Sequence, residues 1–111
     1  MKGFIRNRIH LIAVLIVFLL SGADGPNDSG AADCYYRSGK AKYHNGKFRE
    51  AIEDYDRAAA LSPGTAKIFG SRAAAKRKLG DRQGALDDAR TAASLGDKDS
   101  QRILRMLGYD W

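Results

Sequence analysis

AIEDYDRAAALSP, residues 51–63, returns 34 residues later as ALDDARTAASLGD, residues 85–97. Ala51, Asp54, Ala58, Ala59 and Leu61 recur as Ala85, Asp88, Ala92, Ala93 and Leu95, Ile52 as Leu86, and Glu53 as Asp87. A fixed period of this length marks stacked supersecondary units, each too small to bury its own apolar flank. In the first copy, Phe48, Ala51, Ile52, Tyr55 and Ala58 fall at i, i+3, i+4, i+7 and i+10, which is one stripe of a helix. Arg49, Glu50, Glu53, Asp56 and Arg57 take the other face. Arg49–Glu53 and Glu53–Arg57 are i,i+4 pairs, each worth about 0.2–0.5 kcal/mol. The carboxylates of residues 50–56 therefore read as a solvated helix face rather than a catalytic cluster.

Outward from that stretch, helical periodicity runs from residue 31 to the end, interrupted at Asn45-Gly46, Ser62-Pro63-Gly64, Gly80, Gly96 and Gly108. The spacing predicts five helices, at residues 32–44, 47–61, 65–79, 81–95 and 98–107. Thr65 and Asp97 are placed to cap the third and fifth. Gly after a helix suits a reversal that needs positive φ. No sustained alternation of apolar and polar residues signals strands. The expectation is an all-α domain. On the fifth helix, Ile103, Leu104 and Leu107 should face inward, and Arg102 and Arg105 outward.

The 111 residues allow one domain, with a net charge of +6. Lys2, Arg6 and Arg8 precede an apolar run at residues 9–20 and the small residues Ser21-Gly22-Ala23. Basic, apolar and small-polar segments in that order read as a secretory signal peptide over residues 1–23, cleaved near Ala23. The rival reading is an uncleaved membrane anchor, although the run is shorter than the roughly 20 residues a spanning helix needs. Residues 24–30, DGPNDSG, read as a flexible linker. The expected location is secreted or periplasmic, with membrane anchoring as the alternative. Cleavage leaves 16 Lys and Arg against 13 Asp and Glu, so the mature charge gives little support to a nucleic-acid partner. Cys34, the single cysteine, cannot form an internal disulfide. It reads as a small buried hydrophobe, with an intermolecular bridge or a free thiol as alternatives.

The first unit, residues 31–64, shows Tyr35, Gly39, Gly46, Ala51, Tyr55, Ala58 and Pro63 in order; the second, residues 65–97, shows Phe69, Ala73, Gly80, Ala85 and Ala92. Small residues at Gly39 or Ala73 and at Ala51 or Ala85 let two antiparallel helices approach, with aromatics filling the space beside them. Period and pattern together resemble the tetratricopeptide repeat. The resemblance spans residues 33–107 and implies a short right-handed α-solenoid of antiparallel helix pairs. Residues 98–108 would be a capping helix and residues 109–111 a tail. Four kinds of position depart from the family pattern. Ser38 and Arg72 stand where it favours Leu, and Lys42 and Lys76 where it favours Tyr. Ala89 replaces the second-helix aromatic, and Asp97 the closing Pro. The long cations are expected to pack their stems and keep their heads in water. The second unit is the less well filled.

No catalytic set emerges, and no cofactor or metal is expected. Cys34 and His44 lie ten residues apart on one helix, about 15 Å along its axis, too far for a nucleophile–base pair. No His/Cys spacing suits zinc, and Asp97, Asp99 and Ser100 read as a helix cap before a cation site. The resemblance implies a concave surface lined by the first helix of each pair, used to hold a partner's extended peptide or helix. Its residues here would be Tyr36, Lys40 and Tyr43, then Lys67, Ser71 and Arg77 or Lys78, with Ala74 between. The surface would be basic, favouring a protein partner with an acidic segment. The family's carboxylate clamp does not carry over, because Tyr36, Lys40 and Ser71 occupy the matching places. Three rival uses are a homodimer, a membrane-tethered assembly component, and an anionic polymer held by residues 67–82. Tyr109 and Trp111 are expected either to pack back on the last helix or to form a small exposed contact.

Overall fold

The computed structural model describes residues 27–111; the expected signal peptide or anchor and the start of the linker lie outside the described residues. Five helices follow in order: α1 Asn27–His44, α2 Phe48–Leu61, α3 Ala66–Lys78, α4 Arg82–Ser94 and α5 Lys98–Met106. No strand occurs among the described residues. The first helix begins earlier than its residues suggested, so residues 27–30, expected as linker, are helical instead. Asn, Asp and Ser at 27–29 are residue types that open helices, and buried Ala32 on the next turn anchors the start.

The turns follow from the glycines. Gly46, Gly80, Gly96 and Gly108 all have positive φ, and no other residue type among the described residues does. After α3, Gly80 N–H donates to Arg77 and Asp81 N–H donates back to Lys76 at 3.0 Å. The same six-residue closure recurs from Lys47 to Lys42, Asp97 to Ala92 and Tyr109 to Leu104. These bonds satisfy carbonyls that each helix would otherwise leave unpaired. At the unit boundary, Ser62-Pro63-Gly64 turns without positive φ.

Short turns set consecutive helices side by side. The α1–α2 and α3–α4 pairs pack within the units, and α2–α3 and α4–α5 join them, with a lighter contact between α1 and α3. This is a short tetratricopeptide-like solenoid. Its core is Ala51, Tyr55, Ala58 and Ala59 of α2 with Ile68 and Ala75 of α3. Tyr55 fits because position 39 is Gly: a Cβ there would lie 2.6 Å from a ring carbon of Tyr55. Ala92, Ala93 and Leu104 are the buried apolar residues of α4 and α5. Leu104 is inside as expected, but Ile103 and Leu107 are not; they are 45% and 63% exposed. The nine residues of α5 pack mainly against α4, which covers one narrow stripe. Cys34, expected to be buried, is exposed, because the Ala32–Gly39 side of α1 takes the interior.

Candidate functional site

The expected concave residues divide into two groups. Tyr36 on α1 reaches across to α3, where its hydroxyl shares a 3.2 Å hydrogen bond with the Ser71 hydroxyl. Lys67, one turn before Ser71, places its ammonium 4.8 Å from the centre of the Tyr36 ring. Lys40 places its own at 5.8 Å. Cation–π contacts of this kind hold charge over an aromatic face. Tyr36, Lys40, Lys67 and Ser71 thus form one cluster spanning the two units. Lys67 is weakly balanced by Asp33 at 3.9 Å, while Lys40 has no ion pair among the described residues.

Tyr36 also supports the core, tilting against Tyr55 at 5.9 Å between ring centres. Burial pushes the Tyr55 hydroxyl up to about 12. Tyr43 sits two turns from Tyr36, edge-on to Phe48 at 5.3 Å, and helps close the turn between α1 and α2. Arg77 and Lys78 lie away from the cluster, about 10 Å along α3 from Ser71. Arg77 lines a separate cavity between α3, α4 and α5. Lys78 is exposed and makes no ion pair among the described residues.

The structure corrects the reading of the acidic run. Asp54 and Asp88 are buried, 3% and 5% exposed. Ser38 donates to Asp54 at 2.6 Å and Lys42 pairs with it at 2.8 Å, with Arg57 at 3.5 Å. One repeat on, Arg72 and Lys76 converge on Asp88 at 2.7 and 3.0 Å. Contrary to the expectation that they stay in water, the Lys42 and Lys76 heads meet a carboxylate inside the unit. Burial pushes the Asp54 carboxyl up, but the Lys42 and Ser38 hydrogen bonds and the Lys42 and Arg57 charges together hold it below its ordinary value. Arg72 is held protonated still more firmly than usual, first by its Asp88 hydrogen bonds. It also reaches Asp56 of the preceding unit at 2.9 Å, tying α2, α3 and α4 together.

A signal for these pairs was present in the sequence. Asp54 stands three residues after Ala51 and four before Ala58, on the buried stripe, and its copy Asp88 keeps that place. The first-helix departures at Ser38, Lys42, Arg72 and Lys76 are the complementary half.

Residues 32–65, α1 through the cap of α3, match the tetratricopeptide repeat family model. The chain carries a tetratricopeptide repeat at these residues. The matched segment is the first helix pair, and α3–α4 repeats its geometry. No curated protein matches the chain. Tetratricopeptide repeats are protein–protein interaction modules, and this chain is one of that kind.

Proposed function

We propose that the chain is an exported, non-catalytic module that binds a partner protein's acidic peptide or helix. The contact surface is the cluster of Tyr36, Lys40, Lys67 and Ser71. The bridge from Tyr36 to Ser71 carries this reading: it fixes a polar, aromatic surface across two units, and two ammonium groups flank the same ring. A partner carboxylate would find both cations without displacing a strong internal ion pair. Tyr43 extends the surface along α1, and Lys78 and Arg77 add positive charge further along α3. Export rests on the residue 1–23 pattern. Crosslinking in the native compartment tests the reading: wild type should capture one protein, and Lys40→Glu with Lys67→Glu should lose it. Capture that survives the charge reversal would remove the surface from consideration.

A second reading is a self-associating or membrane-tethered assembly component. It is favoured by exposed apolar groups on α5, above all Met106 at 80% exposure beside Leu107. No helix among the described residues is long and apolar enough to cross a membrane, so a tether would have to be residues 9–20. The mass of the mature N-terminus separates cleavage near Ala23 from retention, and sedimentation over a concentration series separates monomer from assembly.

A further inference from the structure

Four of the first unit's five aromatics form two touching pairs, Tyr36 with Tyr55 and Tyr43 with Phe48. Thirty-four residues on, those positions hold Gly70, Ala89, Arg77 and Arg82. All four of these replacements line one cavity of about 580 Å³, closed below by Ile103 and Leu104 of α5. The second unit thus has an opening where the first has a ring cluster. Its inner half is apolar, and at its outer positions two guanidinium groups replace the Tyr43–Phe48 pair. Neither the Arg77 nor the Arg82 side chain has an ion-pair or hydrogen-bond partner among the described residues, unlike that of Arg72, which is fully engaged. A volume in the range of ordinary ligand pockets, apolar with a few polar groups at one side, is the usual form of a binding site.

We propose that this cavity binds an aromatic side chain flanked by carboxylates on a segment of the partner protein, the ring entering beside Gly70 and Ala89 and the carboxylates meeting Arg77 and Arg82. The first unit shows what the space accommodates, since it holds aromatic rings at the same places. Charge complementarity supplies the rest: arginine forks pair with carboxylates, and rings fill apolar pockets lined by small residues. The cavity adjoins the Tyr36–Ser71 cluster along α3, where Gly70 neighbours Ser71 in the chain, so one extended segment can cross both. The proposal rests on the partner-binding reading above and names the chemistry at its far end.

The test uses the full chain and a capped peptide, acetyl-Gly-Asp-Trp-Asp-Gly-amide, followed by amide chemical shifts. The expected result is saturable shifts at Gly70, Ala89 and Ile103. Replacing Trp by Ala or both Asp by Asn in the probe should weaken binding on the order of tenfold. Arg77→Gln with Arg82→Gln, both on exposed positions, should do the same to the parent peptide and leave the Asn peptide unaffected. Ala73→Gly with Ala89→Tyr, which rebuilds the first unit's ring and the glycine opposite it, should abolish binding. Absence of shifts at millimolar probe, or binding indifferent to the refilled cavity, overturns the proposal. If the chain self-associates without peptide and the refilled variant does not, a second copy occupies the cavity and the partner assignment falls. Loss of peptide binding with retained Lys40- and Lys67-dependent crosslinking sinks this inference alone; the reverse pattern sinks the Tyr36 surface alone.

Discussion

Arg72 grips Asp88 with both prongs of its guanidinium, Nε at 2.8 Å and a terminal nitrogen at 2.7 Å. The pair stands inside the second unit where the family pattern would put apolar contacts; in the first unit Ser38 takes the place of Arg72 on Asp54, and Lys42 that of Lys76. A buried carboxylate without partners is strongly unfavourable, so the cations on α1 and α3 and the acids on α2 and α4 depend on each other. Each helix pair is locked by charge as well as by alanine packing.

Removing one side of that lock is expected to cost more than its hydrogen bonds alone are worth. Asp88→Ala should destabilise the domain by about 2–3 kcal/mol, because half-buried Lys76 loses its counter-charge and Arg72 keeps only the more exposed Asp56. In a domain of this size that corresponds to a melting temperature lower on the order of 10 °C. Arg72→Ala should cost at least as much, since it also frees Asp56. A double-mutant cycle on Arg72 and Asp88 should give a coupling above about 1 kcal/mol. Additive effects in urea denaturation would show that the pair is not a working contact.

The first unit's acid makes a pH prediction. The Asp54 carboxyl is held below its ordinary value, so folding favours its ionised form. Its contribution is complete above the unfolded pKa of about 3.9 and is lost as pH falls through the lower folded value. Wild type should therefore lose its advantage over Asp54→Asn as pH is lowered from about 5 to about 2.5. Urea midpoints of the two proteins across that range should converge at the acid end. A gap that stays constant would place the stabilisation elsewhere.

The helices and their turns were legible because each is encoded locally. Ala51, Ile52, Tyr55 and Ala58 fix the α2 stripe, and a glycine follows four of the five helices where positive φ is needed. The buried acids were not read, because charge argues for solvent until its partner is known, and Lys42 and Asp54 meet only after α1 folds back on α2. Periodicity likewise placed Ile103 and Leu107 inward: it gives the direction of a face but not whether a neighbour covers it. Of the expected surface, Tyr36, Lys40, Lys67 and Ser71 come together. Arg77 and Lys78 do not, since two turns along α3 move a side chain out of reach.

The two N-caps proposed from sequence should differ in strength. Asp97 accepts from the Ser100 backbone N–H at 2.8 Å and from the Ser100 hydroxyl, at the start of a helix with only nine residues. Asp97→Ala should cost about 1 kcal/mol and fray α5 first. Thr65 occupies the cap position of α3, but its hydroxyl bonds Ser62 instead of the helix. Thr65→Ala should cost less, under about 0.5 kcal/mol. Amide exchange in α5 against α3 measures the difference, and equal protection losses would contradict it.

Gly39 and Ala73 occupy the same place in successive units and should respond oppositely. A methyl at Gly39 would lie 2.6 Å from the Tyr55 ring and 3.2 Å from the Ala51 carbonyl oxygen, so neither a rotamer change nor a small shift clears both. Gly39→Ala should cost about 1–3 kcal/mol by overpacking, despite the better helix propensity of Ala. At Ala73 the facing residue is Ala89, the ring is absent, and the methyl has room. Ala73→Gly should therefore cost about 1 kcal/mol through propensity alone. Combined with Ala89→Tyr, however, the same change becomes favourable, because glycine then admits a ring that fills the cavity. Thermal melts of the two singles and the double give the sign of the coupling. A double variant no more stable than the sum of its parts would show that the two units pack by different rules at this position.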